Sequence, residues 1–202
     1  MKNKSFLLLF FFLFLWQVSF AQQTILSDSN LPIMVISTDI DPDTNAPTDI
    51  PDEPKVLGSM QLIYRPDGTR NYLTDSTNES FLNYKGRIGI ELRGSSSQAL
   101  DKKPYGFTTL LDDDDSNNNV SLLGMPSEND WVLNSLAYDP SMVRDYLSYT
   151  LASNMGNYAP RVQYIEVIVN GDYKGVYFLT EKVKRDSDRV NLKKIADDDN
   201  DF

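Results

Sequence analysis

Residues 87–107 read "RIGIELRGSSSQALDKKPYGF", and the fold turns on how they are read. Ile88, Ile90 and Leu92 alternate with polar neighbours, which places them on one face of a strand, with Arg87, Glu91 and Arg93 among the others. Gly94 and Ser95–Ser97 follow. Lys102 and Lys103 then head a second strand-like run, "PYGFTTLLD". The stretch is either a hairpin with a solvated tip or a cradle for an anion. A Gly-Ser turn offers backbone N–H groups and hydroxyls to phosphate oxygens. A lysine at the head of the next strand supplies a point charge.

Working outward, "LPIMVIST" (31–38) is a short branched apolar run, read as a buried strand. Residues 39–55 hold four prolines and six acids, so they read as a long loop. "GSMQLIYRPDGTRNYL" (58–73) reads as a hairpin about Pro66-Asp67-Gly68. Another strand falls around Trp131 to Leu136. Then the period changes. Asp139 and Pro140 are an N-cap and a first-turn proline. Val143, Leu147, Leu151 and Met155 form an apolar stripe at helical spacing, and Gly156 fits the stop. The spacing predicts one helix over 139–156. Beyond it, Asn170-Gly171 joins two β-rich runs, "RVQYIEVIV" and "DYKGVYFLTEKV", as a hairpin. The expected class is α+β: an antiparallel sheet with one major helix. The order of elements is similar to that of a protein-kinase N-lobe, without a G-x-G-x-x-G or V-A-I-K motif.

Lys2 and Lys4 precede an apolar run of 11, "FLLLFFFLFLW", and Ser19 and Ala21 stand at −3 and −1 of a cleavage site. Residues 1–21 therefore read as a secretory signal peptide; the run is too short for the roughly 20 residues of a membrane span. Residues 22–30 read as a polar, frayed lead. An exported location follows: secreted, periplasmic or on the cell surface, with no stable membrane span. The formal charge is −10, and cleavage removes two lysines and no acids. Such a chain is a poor nucleic-acid binder, so none is expected as a partner. The acidic runs at 39–53, 112–115 and 197–201 read as solvated loops.

The chain has no histidine and no cysteine. That excludes a Ser-His-Asp triad, a thiol nucleophile, disulfides and a His-based zinc site. Phosphoryl transfer remains open, because it relies on positioning and charge more than on a nucleophilic side chain. Gly89 to Ser95 has the glycine spacing of a phosphate loop but serine where lysine belongs. Asp39, Asp41, Asp43 and Asn45 begin like a calcium loop, but Thr44 and Ile50 stand at its glycine and glutamate positions.

Together, "YKGRIGIELRGSSSQALDKKPYGF", "LLGMPSENDWVLNSLAYDPSMVRDYLSYTLASNMG", "APRVQYIEVIVNGDYKGVYFLTEKVKRD" and "RVNLKKI" resemble the CotH (spore coat protein H) family of atypical secreted kinases. The resemblance runs from about Leu31 to Ile195. It implies a divergent kinase-like fold, use of ATP with a divalent metal (Mg or Mn), and phosphorylation of Ser or Thr on secreted or surface proteins. It implies that Arg93, Gly94, Ser95, Ser96 and Ser97 form the nucleotide loop, and that either Lys102 or Lys103 contacts phosphate. Arg144 is a further candidate ligand contact, and Glu181 matches the family's Thr-Glu at a strand exit near a hinge. Family members continue beyond the R-V-x-[IL] element, and their later half carries the metal-binding and catalytic carboxylates. The resemblance therefore puts the catalytic residues beyond Phe202. Residues 31–202 are expected to be the N-terminal portion of such a domain, incomplete C-terminally and inactive alone. The competing expectation is a catalytically inactive surface binding or adhesion module of the same fold.

Overall fold

The computed structural model describes residues 25–193. The signal-peptide reading of 1–21 and the acidic patch at 197–201 lie outside them. So does Phe202, and with it the expectation that the catalytic carboxylates lie further on. Eleven strands and one α-helix are described: β1 (Asp28–Ser29), β2 (Ile33–Thr38), β3 (Ile40–Asp41), β4 (Ala46–Pro47), β5 (Val56–Ile63), β6 (Asn71–Tyr72), β7 (Leu82–Leu92), β8 (Tyr105–Leu110), β9 (Asp130–Asn134), α1 (Arg144–Asn154), β10 (Val162–Val169) and β11 (Asp172–Glu181).

Seven of the strands close into a barrel in the order β10-β11-β9-β8-β7-β5-β2. This corrects the expected α+β class and its kinase-N-lobe-like sheet: the described residues are mostly β, a closed barrel with one α-helix among them, outside the barrel. The sheet closes because β2 adds to β10 in parallel, with Glu166 to Val169 paired to Ile33 to Ile36. Every other neighbouring pair in the barrel is antiparallel. Closure removes the two edges that an open sheet would leave unpaired. Asn170 fastens the seam. Its side-chain carbonyl accepts from the Thr38 N–H at 2.9 Å, and its amide donates to Thr38 Oγ1 at 3.0 Å. Asn170 and Gly171 have φ of 51° and 78°, the paired left-handed residues of a type I′ hairpin turn.

The interior follows the period-2 pattern. Met34, Ile36, Ile88, Ile90, Leu133 and Val167 point inward, and Trp131 and Tyr177 fill the lumen. A barrel this small is packed solid by such side chains.

Several local expectations change. Residues 58–73 do not form a hairpin: β5 pairs with β2 and β7, and the return is only β6, which pairs with β1. Part of the supposed frayed lead is thereby ordered. The acidic runs at 39–53 and 112–115 are not merely solvated, since the Arg87 guanidinium grips Asp39 at 2.9 Å through Nη1 and Asp114 at 2.5 Å through Nε. The helix starts at Arg144 rather than next to Asp139, because Met142 takes φ of 55°. Its apolar stripe also faces out, with Leu147, Leu151 and Met155 exposed by 53%, 61% and 78%. The half-buried face is Asp145, Tyr149 and Ala152. Aromatic contacts hold the helix to the outer wall: Tyr146 stacks on Tyr164 (5.8 Å between centroids), which tilts onto buried Phe178 (4.3 Å).

Candidate functional site

The β7–β8 connection is a tied loop. The ladder runs one step past β7, with the Arg93 N–H donating to Pro104 O at 3.0 Å. Gly94 then turns with φ of 92°, and a Cβ there would collide with Ser97 Oγ; only glycine fits. Ser96–Ala99 form a 3₁₀ turn. The Gln98 side chain donates to Gly94 O at 2.6 Å, and Lys103 Nζ donates to Gln98 O at 2.5 Å.

The loop forms one wall of a cleft of about 500 Å³. Arg93, Gly94, Ser96 and Ser97 line that wall. The opposite wall is the exit of β9 and the start of α1, with Asn134, Tyr138, Asp139, Arg144 and Asp145. Tyr138 bridges them, its hydroxyl donating to Ser96 O at 3.2 Å. Asp139 organises the helix start: it accepts from Ser141 Oγ at 2.6 Å and from the Arg144 N–H at 2.9 Å. These bonds, the Ser141 hydroxyl foremost, hold its carboxyl down at about 2. Arg144 lies 3.5 Å from Asp139 and is otherwise exposed; it pairs with neither Asp145 nor Glu181.

Of the residues singled out from sequence, Arg93, Gly94, Ser96, Ser97 and Arg144 meet at this cleft, with Ser95 preceding the 3₁₀ turn. The other three lie elsewhere. Lys102 Nζ donates to Val176 O at 2.5 Å and stands 4.5 Å above the Tyr177 ring; burial holds its pKa below the ordinary lysine value. Lys103 ties the loop to itself. Glu181 is fully buried and accepts from Arg161 Nη1 at 2.8 Å and the Arg161 N–H at 2.9 Å. Sequence reasoning passed over Tyr138 and Asn134. Their only signal was position, just after a strand and just before the helix cap.

A smaller charged lobe adjoins the cleft, sharing Arg93 and Val132 with it. Lys55 Nζ donates to Thr108 Oγ1 at 2.5 Å, and Thr108 donates to Asp130 at 2.9 Å. Lys184 joins Asp130 (3.0 Å) and Glu128 (2.9 Å). Arg189, buried over the Trp131 ring, donates to Lys182 O at 2.7 Å and fixes the chain leaving β11.

Arg93, Arg144, Ser96, Ser97 and the Gly94 turn line one space together with Asp139 and Asp145; guanidiniums, hydroxyls and a glycine turn are groups that can bind phosphate oxygens. A metal is not accommodated in the same way. Among the described residues no group of three or more Asp or Glu is placed to hold an ion. Asp139 and Asp145 line the cleft but are committed to the helix start and to Asn134.

A family model described as CotH kinase protein matches residues 90–201, over half of the chain. The chain belongs to the CotH family. The match takes in the loop, the cleft and α1, and begins after β2 and β5, two strands that complete the barrel. No curated protein matches the chain.

Proposed function

We propose that this chain is the nucleotide-binding portion of an exported CotH-type protein kinase, with the phosphates of ATP held between Arg93, Gly94, Ser96 and Ser97 on one side and Arg144 on the other. The observation that carries this reading is the convergence of two arginines, 51 positions apart in sequence, on one cleft roofed by a glycine-serine turn. ATP supplies the transferable phosphoryl group. The chain's own residues bind it: the guanidiniums oppose the phosphate charge, the hydroxyls donate to phosphate oxygens, and Tyr138 fixes the loop over them. A secreted or surface protein carrying Ser or Thr is the proposed acceptor.

The test is equilibrium binding of ATP and of inorganic tripolyphosphate to the full chain. Arg93→Ala and Arg144→Ala should each weaken both ligands by about 10–100-fold, the range for hydrogen bonds to charged groups. Absent binding, or two variants that bind like the native protein, would overturn the reading. A second reading, an inactive surface module of the same family, is favoured by the exposed stripe on α1. It predicts nucleotide-independent capture of a partner and no label transferred to a Ser/Thr acceptor.

A further inference from the structure

Resting on the nucleotide reading above, we infer that Glu91 is the residue that recognises the ribose hydroxyls of the bound nucleotide. Glu91 and Arg93 lie two positions apart along β7 and its continuation, so both point out of the barrel on the same face, separated by roughly 7 Å. The ribose hydroxyls of a nucleoside triphosphate lie one sugar ring from the α-phosphate, a step comparable with that spacing. A phosphate chain held at Arg93 therefore sets the sugar beside Glu91.

The floor at that point is bare. Glu91 pairs with Gly106, and Gly106 with Val132. A Cβ on Gly106 would stand 3.4 Å from Glu91 Oε1 and 3.7 Å from Arg93 Cδ. The missing side chain leaves the strip between the two groups open: a shallow pocket of about 20 Å³ lies there, bordering the cleft at Arg93 and Val132, so a sugar would rest over it rather than inside it.

Glu91 is also the carboxylate in this lobe with acceptor capacity to spare. Asp130 already accepts from Thr108 and Lys184. Glu91 has Lys55 Nζ at 3.9 Å and accepts no hydrogen bond among the described residues. A carboxylate so placed accepts from a vicinal diol with both oxygens, as the acidic residue of dinucleotide-binding folds does for ribose.

The experiment compares ATP, 2′,3′-dideoxy-ATP and inorganic tripolyphosphate on the full chain. The native protein should bind ATP about tenfold or more tighter than the dideoxy nucleotide. In Glu91→Ala the two nucleotides should bind within about twofold of each other, with tripolyphosphate unchanged; Glu91→Gln should keep part of the preference. Unchanged tripolyphosphate binding shows that the variant is folded. If Glu91→Ala keeps the full preference for ATP, the inference is overturned while the nucleotide reading stands. If the native protein binds neither ATP nor tripolyphosphate, both fall.

Discussion

Asn134 donates its side-chain amide to Asp145 at 3.1 Å and accepts the Leu136 N–H at the same distance. The last residue of β9 is thereby joined to the first turn of α1. The cleft has its shape because of this link: the loop wall belongs to the barrel, the Arg144 wall to the helix, and Asn134 fixes one against the other.

Replacing Asn134 with alanine should lower unfolding free energy by about 1–3 kcal/mol, the value of two net hydrogen bonds. Asn134→Asp keeps the acceptor for the Leu136 N–H but sets two carboxylates against each other across the Asp145 contact. Its cost should shrink with added salt, which screens like charges at a partly exposed site. Urea melts of the two variants at low and high ionic strength check it; a cost that salt leaves unchanged would mean that Asp145 is not the partner.

Arg161 and Glu181 make an unequal pair. The Glu181 side chain is fully buried, while Arg161 is half exposed. Arg161→Ala strands a buried carboxylate and should cost about 2 kcal/mol, below the roughly 3–5 of a fully buried pair because water already screens the guanidinium. Glu181→Gln should cost less, since it retains an acceptor for the Arg161 N–H. Thermal melts measure both. Neither change should alter ATP affinity, because Glu181 does not line the cleft.

Local pattern made much of this protein legible. The alternation in β7, the Asn-Gly turn and the period of α1 are written in neighbouring residues, and each element exists. What sequence could not supply was partnership across distance. The parallel seam joins residues more than 130 positions apart, and no local signal distinguishes β2 at a sheet edge from β2 closing a barrel. The stripe Val143–Leu147–Leu151–Met155 has true helical spacing, but spacing says nothing of which side the wall lies on; the half-buried side carries Asp145, Tyr149 and Ala152 instead, and Tyr146 stacks on Tyr164 of the wall. The candidate site was half legible for the same reason. Its loop is contiguous, whereas Tyr138 and Asn134 join it only through the turn into α1.

The outward stripe predicts that Leu147→Glu and Leu151→Lys are thermodynamically mild. Surface changes away from buried contacts stay within about 0.5 kcal/mol, and both side chains are more than half exposed. The same changes should reduce binding of an apolar dye and any self-association at high concentration, since contiguous exposed apolar surface drives both. Light scattering of native and variant protein reads the second effect. A variant that unfolds would show that the stripe is packed in solution.

Asp139 predicts an acid limb. Its folded pKa of about 2 lies below the ordinary 3.8, so its contribution is complete above that ordinary value and is lost as pH falls through about 2. Asp139→Ala should therefore lower the melting temperature at neutral pH, and its difference from the native protein should shrink between about pH 4 and 2. A difference independent of pH would place the effect elsewhere than in the carboxylate.

Lys102 predicts the opposite limb. Burial lowers its folded pKa below the ordinary 10.5, so an ammonium that water solvates in the unfolded chain is partly stripped on folding. Between its folded pKa and 10.5 the unfolded state binds more protons, and stability rises with pH across that window. The cation over the Tyr177 ring and the bond to Val176 O offset part of the cost. Lys102→Met keeps the buried stem and removes the proton. Native protein should gain stability relative to this variant as pH rises toward 10.5, read from urea midpoints at matched ionic strength. Parallel curves would mean that the ammonium is solvated in the folded chain. Tripolyphosphate binding by the same variant adds a second reading: unchanged affinity leaves the cleft to Arg93 and Arg144, while a loss of about tenfold or more would show that Lys102 swings from Val176 to the phosphates when they bind.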